Sequence, residues 1–407
     1  MSTGRPSDNW NGFGDLEPGP GSLHEQIQTV LSTANFQDLE KLAYLARIEQ
    51  DRTMDPGLLC TIDPSLFTYG FNNVVLEVSF SDHVHWIAKI QHISVDESEA
   101  SENAMDLLSE IATMRTVKER TSIPVPQVFA YDTSLSNSVG YPYILMEHID
   151  GRTLGGLLVS EVPPRYLLKV ARQLAEIFFE LHGLTFDRLG RLWCGENGDG
   201  APEIIPLSLS NELEPDSVHR TSLEWFYKHR QENNRQVIKL HPHDPEWRTA
   251  CWILKTAVSH IIIESRVRGP FPLCHVDLHH GNLLFDDDYN LKGVIDWSQA
   301  QTVPLERLVV SPEIITFPGV SDEQNKDVLA FISLIREHLQ HLEQKNKITP
   351  RLLSDLFGTK RAEITHRCTY SLPRRALWDG RLVARLLYGN DISWEQLVHV
   401  YGEVEIC

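Results

Sequence analysis

Long apolar runs are missing from this chain of 407 residues. None approaches the ~18 apolar residues that a membrane-spanning helix needs, because even the candidate around Ile261 to Ile263 is interrupted by Lys255, His260 and Glu264. Excess positive charge is missing too. Lys and Arg number 37 against 56 Asp and Glu, a formal charge of −19 that repels phosphate backbones and anionic lipid, so neither nucleic acid nor a membrane is an expected partner. The six cysteines (Cys60, Cys194, Cys251, Cys274, Cys368 and Cys407) form no C-x-x-C pair, which excludes a zinc cluster or disulfide framework of the usual spacing and leaves reduced packing residues. The opening MSTGRPSDNWNGFG has neither a basic start followed by an apolar run nor an Arg- and Ser-rich amphipathic pattern, so the expected compartment is the cytoplasm. A Walker A sequence and a complete G-x-G-x-x-G are also absent.

What is present is an ordinary globular composition, 42% hydrophobic and 23% charged, which excludes a disordered or fibrous chain. Residues 1 to 22 are rich in Gly, Pro, Ser and Asp and are expected to form a disordered tail. Helical spacing from Leu23 to Gln50 predicts two short helices. The period then drops to two: 74–80 (VVLEVSF) and 85–90 (HWIAKI) read as a hairpin, and 128–132 with 141–149 as a second strand pair. Between them Ala104, Leu107, Leu108, Ile111 and Met114 mark one apolar helix stripe, which ends before IPVP.

Beyond Gly151 the pattern turns helical, at about 165–183, 214–240, 245–267, 323–345 and 374–388, with one further hairpin over 283–296. The expected fold is therefore α+β and bilobal: an N-terminal lobe, 23–146, with a small antiparallel sheet and one main helix, and a larger, mainly helical lobe, 147–407. A cleft between such lobes is a natural ligand site.

The densest set of polar side chains in an apolar setting is FPLCHVDLHHGNLLFDDDYNLKGVIDW, residues 271–297. His275, Asp277 and Asn282 fit H-x-D-x-x-x-x-N, and Asp296 follows a strand. Phosphoryl transfer from ATP needs a carboxylate to orient the acceptor hydroxyl, and an amide oxygen with a second carboxylate to hold Mg²⁺ on the phosphates. Asp277, Asn282 and Asp296 supply these groups. Zinc is the rival, since His275 and His279 stand four apart, but Gly281 and the strand-like LLF argue against a helix there. The run Asp286 to Asp288 lacks the spacing of a calcium loop and reads as a solvated turn.

On CHVDLHHGN and VIDW the sequence resembles the aminoglycoside phosphotransferase and choline kinase-like family, over about residues 65 to 310. The resemblance implies a protein-kinase-like fold, Asp277 as catalytic base or hydroxyl-orienting group, and Asn282 and Asp296 as Mg²⁺ ligands. His279 matches a His of the family pattern and could position the acceptor or only hold the loop. His275 is a further catalytic candidate.

Such a site also needs a lysine on a strand, held by a carboxylate, to reach the α- and β-phosphates. Lys89 fits, with Ile87 on the same strand face beside adenine, and Glu110, at the edge of the helix stripe, is its expected partner. YGFNN (69–73), placed before the first strand, offers Gly70, Asn72 and Asn73 to phosphate. YILMEHI (143–149) matches the family's hinge, so the backbone of Glu147, His148 and Ile149 would meet adenine. Glu306, Asp379 and Glu395, with Trp297, Trp378 and Trp394 as walls, are candidates for an acceptor site suited to a cation.

The expectation is an ATP- and Mg²⁺-dependent phosphotransferase acting on a hydroxyl of a small, possibly cationic molecule. Three alternatives stand beside it: a silent binding module on the same fold, a kinase of protein hydroxyls, and another ATP-dependent reaction. The five residues Lys89, Glu110, Asp277, Asn282 and Asp296 together disfavour the first. VIDW followed by QTVPLERLVVSPE disfavours the second.

Overall fold

The computed structural model describes residues 4–14, 16–51, 53, 57–92, 97–195, 198–207, 219–314, 323, 325–369 and 373–405. Part of the expected helix at 214–240, residues 214–218, lies outside them, as does Cys407.

Two helices, α1 (Leu23–Thr33) and α2 (Phe36–Gln50), precede a five-stranded sheet. Its strands are β1 (Cys60–Tyr69), β2 (Asn73–Phe80), β3 (His85–Gln91), β4 (Val128–Asp132) and β5 (Tyr143–Glu147), in the order β1-β2-β3-β5-β4, every pair antiparallel. Period-two alternation sends Val74, Leu76, Val78, Trp86, Ala88, Ile90, Tyr143 and Leu145 to one face, where they share a core with Ile27, Val30, Leu39 and Ala43 of α1 and α2. The other face carries two cross-strand rows, Val75–Lys89–Ile144 and Glu77–Ile87–Met146. With its first face covered by helices, the sheet turns these rows toward the back half of the molecule.

Strand β1 was hidden from the period-two pattern. Pro64 supplies no ladder N–H, and the register slips between Ile62 and Phe67, so no clean alternation survives in Cys60–Tyr69. YGFNN is therefore the turn that joins β1 to β2, closed by Gly70 N–H donating to Asn73 O at 2.9 Å, and not a segment before the first strand. The amino terminus also departs from expectation. Instead of a disordered tail, Pro6–Asn9 form a 3-10 turn, and Gly12 N–H donates to Phe67 O at 3.2 Å.

Helix α3 (Glu97–Arg120) belongs by packing to both halves. Leu107, Ile111, Met114 and Val117 share one core with Leu174, Phe178, Leu273, Leu283 and Val294, behind the sheet. The boundary expected near residue 146 therefore describes the chain but not the core.

Next come α4 (Leu158–Glu161), α5 (Pro164–Gly183), β6 (Thr185–Phe186), β7 (Arg191–Trp193) and β8 (Glu203–Ile205). Beyond Thr221, whose hydroxyl caps the next helix, follow α6 (Ser222–Leu240), α7 (Pro245–Thr256) and α8 (Val258–Ile261). The single helix expected over 245–267 is thus broken at Ala257 and ends at Ile261, with Ile262 already extended. Strand β9 (Phe271–Cys274) leads into the polar loop, and β10 (Leu283–Phe285) pairs with β11 (Leu291–Val294) as the expected hairpin. The chain continues through β12 (Gln301–Thr302), α9 (Leu305–Leu308), α10 (Lys326–Lys345), α11 (Leu352–Leu356), α12 (Lys360–Thr369), α13 (Ala376–Tyr388) and α14 (Trp394–Tyr401). Among the described residues, no helix is long and apolar enough to cross a membrane.

Candidate active site

The two halves meet through charge. Lys89, on the second-half face of β3, donates to both oxygens of Glu110 at 2.7 and 2.9 Å, and lies 3.2 Å from Asp296 Oδ1. Burial opposes the charge on Lys89, but the carboxylates of Glu110 and Asp296 outweigh it and raise the ammonium above its usual range. At neutral pH the site therefore holds a fixed cation.

Asp296 is positioned by backbone and neighbours. It follows β11, its φ is +57°, and that left-handed conformation costs a non-glycine residue roughly 1–3 kcal/mol, which the surrounding contacts must outweigh. Ser298 Oγ donates to Oδ1 at 2.8 Å. Burial would raise this carboxyl, but Lys89 and the Ser298 hydroxyl prevail, so it lies below the usual carboxylate range. Nearly half of the side chain is still exposed (48%), so the ionised group faces the cleft.

Asn282 sits one residue before β10, and Ile295 N–H donates to its carbonyl at 3.0 Å, extending the hairpin ladder by one bond. Asp296 is the next residue. The Asn282 amide nitrogen donates to Asp277 O at 2.9 Å, which fixes the amide with its nitrogen committed and its oxygen as the remaining acceptor.

Asp277 presents a side chain that is 52% exposed, reachable by a bulky acceptor. Beside it, His279 Nδ1 accepts from Gly281 N–H at 2.9 Å, so in the neutral ring Nε2 carries the hydrogen, 3.4 Å from Asp277 Oδ2. The bond to Asp277 favours the imidazolium and raises His279, whereas protonating Nδ1 would set two donors face to face. His279 thus steers Asp277. A His279→Ala variant should lose up to about 10²-fold in kcat with nucleotide Kd unchanged, measured by steady-state kinetics beside nucleotide titration.

Several expected residues hold other posts. His275 is buried, its Nε2 shares a hydrogen bond of 3.0 Å with Ile295 O, and its ring packs edge-on against Trp297. Burial keeps it neutral. It is a positioning residue for the Asp296 turn, not a catalytic one, and with His279 bonded to Gly281 the two histidines form no zinc pair. Among the described residues, no cluster of three His, Cys, Asp or Glu side chains could hold a metal ion. The Glu147 N–H is taken by Gln127 O at 2.8 Å, and its carboxylate by Gln127 N and Lys118, so of the expected adenine contacts this N–H is unavailable. His148 and Ile149 follow β5, where Ile149 presses on β11. A Cβ on Gly293 would come 2.8 Å from Ile149 Cδ1, so a larger residue there would push the Ile149 side chain aside. Ile87 lies on the Lys89 face, and Gly70, Asn72 and Asn73 lie at the β1–β2 turn.

The acceptor candidates Glu306 and Asp379 are 1% exposed and cannot meet a solute. Glu306 accepts Ile263 N–H, and Asp379 pairs with the buried Arg367 at 3.4 Å. Trp297 is buried with its indole donating to Val294 O, whereas Trp378 stands on the surface.

Sequence reasoning passed over Glu313. Buried at 3%, it accepts from His280 N and Leu158 N at 2.8 Å each and meets His280 Nδ1 at 2.7 Å. Ser311 Oγ donates to Leu278 O at 2.7 Å. The Ser-Pro-Glu segment thus ties the loop of Asp277 to the helical half. The available signal was an isolated acid in the apolar run after VIDW.

The sequence profile of the phosphotransferase enzyme family matches residues 66–306, more than half of the chain, a span that includes Lys89, Glu110, Asp277, His279, Asn282 and Asp296. A subtelomeric hrmA-associated cluster protein of Aspergillus fumigatus is 35% identical over 96 residues, 24% of this chain and 19% of that protein. Altered inheritance of mitochondria protein 9 of Candida tropicalis is 31% identical over 126 residues, 30% of this chain and 19% of that protein. The chain thus spans about a fifth of the length of these curated relatives. The streptomycin–ATP complex of an aminoglycoside 2″-phosphotransferase covers 87% of this chain and 97% of its own at 13% identity and a TM-score of 0.43.

Proposed function

Because the chain belongs to the phosphotransferase enzyme family, we propose that it moves the γ-phosphoryl group of Mg²⁺-bound ATP to a hydroxyl of a small molecule. The observation behind this is the convergence of Lys89, Glu110 and Asp296 from three elements of two lobes, within 3.2 Å of one ammonium.

The residues fit magnesium. Mg²⁺ is held by one or two protein oxygens and completed by phosphates and water, and a carboxylate with an amide oxygen, set beside a bonded hairpin, is that donor set. Asn282 and Asp296 would hold the ion, which would supply positive charge against the phosphates. Lys89 binds phosphate oxygens with its position fixed by Glu110, and Ile87 offers an apolar face to the base. Asp277 accepts the hydrogen bond of the acceptor hydroxyl, aligns its oxygen on the transferring group and takes its proton as the new O–P bond forms, while the bond from the γ-phosphorus to the β–γ bridging oxygen breaks and ADP leaves with that electron pair. The charge of −19 suits an amine-bearing acceptor.

The decisive experiment is an ADP-release screen of hydroxyl compounds grouped by charge, with Asp277→Asn as the blank. Acceptor-dependent release in the native protein alone supports transfer, whereas release equal in both removes it. Asp296→Ala should abolish the magnesium-dependent part of the ATP-induced thermal shift. An unchanged shift would deny Asp296 the metal.

A further inference from the structure

The face that carries Lys89 also carries Glu77, in the row Glu77–Ile87–Met146, where Ile87 is the surface offered to a base. Glu77 is buried at 3%, and the cover comes from an unexpected place. Arg5 donates to Oε1 through Nε at 3.0 Å and Nη2 at 2.8 Å, and Ser7 donates to Oε2 through its backbone N–H at 3.0 Å and its hydroxyl at 2.6 Å. Ser79 and His85 also approach Oε1 from the sheet itself. Burial pushes Glu77 up, but the Ser7, Ser79 and Arg5 donors overcome it and hold the carboxyl at about 2, so it stays ionised and receptive at neutral pH.

Two features make this contact reversible. The turn Pro6–Asn9 buries none of its own residues, and these hydrogen bonds all end on one carboxylate, with the Arg5 side chain half exposed. Little apolar area would be surrendered on release. The turn also lies outside the family-matched span 66–306.

We infer that Pro6–Asn9 is a displaceable strap across the base end of the nucleotide cleft, and that its docking on Glu77 competes with a purine nucleotide lying on Ile87. This rests on the nucleotide-binding role proposed above. Nucleotide affinity is then lowered by the fraction of molecules with the strap down. If that fraction is about nine-tenths, removing the strap tightens Kd about tenfold.

The test titrates native protein, Arg5→Ala/Ser7→Ala and Ser7→Asp with a non-hydrolysable Mg·ATP analogue, and follows amide exchange over residues 5–10 with and without it. The inference expects tighter Kd in both variants and faster exchange at 5–10 when the native protein is saturated. Ser7→Asp sets a second carboxylate against Glu77, so it should match the double variant although it keeps Arg5. Binding to native protein with unchanged exchange, or a Kd equal or weaker in the variants, overturns the strap and leaves the phosphotransferase proposal standing. No binding to any of the three proteins overturns both.

Discussion

Asp277→Ala is expected to lower kcat by roughly 10²- to 10⁴-fold while nucleotide affinity stays within about twofold. The asymmetry follows from geometry. Asp277 touches neither Lys89 nor Asp296 in any contact described above; its carboxylate is half exposed beside His279, and only its backbone oxygen supports the metal side, through the Asn282 amide. Truncation removes the hydroxyl-orienting group and leaves that carbonyl in place. Parallel measurement of kcat and nucleotide Kd checks this. A variant that turns over at the native rate would take Asp277 out of the mechanism, and one that loses nucleotide binding would place it on the phosphate side.

Lys89→Met should act on both binding and turnover, with kcat down about 10²- to 10³-fold, the usual loss for one preorganised charged donor in a dry site. The reason is burial. Lys89 is 7% exposed, and its contacts are carboxylate oxygens on two elements, so no neighbouring cation can substitute. Lys89→Arg should fail as well, because a planar fork does not fit the place of a compact ammonium between Glu110 and Asp296. Lys89→Met also leaves Glu110 buried without its partner, and breaking such a pair costs about 3–5 kcal/mol, visible as a lower melting temperature. Glu110→Gln separates the two effects: Lys89 keeps a hydrogen-bond partner, and the loss should fall mainly on the fit to phosphate. A Lys89→Met protein with native kinetics would dismantle the proposed site.

The residues that carry chemistry were legible because the chemistry imposes spacing. Four residues separate Asp277 from Asn282, and a β-hairpin returns Asp296. Lys89 and Glu110 were found by strand period and helix angle, and the structure brings both to one contact. What escaped was polar structure without a period. β1 is broken by Pro64 and a slipped register. The amino-terminal turn is tied down by hydrogen bonds to Glu77 and not by apolar burial, so a composition argument predicted disorder. Glu306, Asp379 and Glu313 carry no spacing signal, and nothing in their sequence context distinguishes an acid that faces a solute from one that caps a buried N–H. His275 is the reverse case, a motif residue whose post is to fix the turn before Asp296.

The placement of α3 has a mechanical result. Its apolar stripe is rooted among Leu174, Leu273 and Val294, so Glu110 is braced from the rear half while Lys89 is set by the sheet. Opening and closing of the two halves would then pull directly on this one bond, and the column bearing the acid would be the stationary jaw. Trimming Leu107 or Met114, one turn to either side of Glu110, would loosen that jaw and register as weaker grip on the triphosphate.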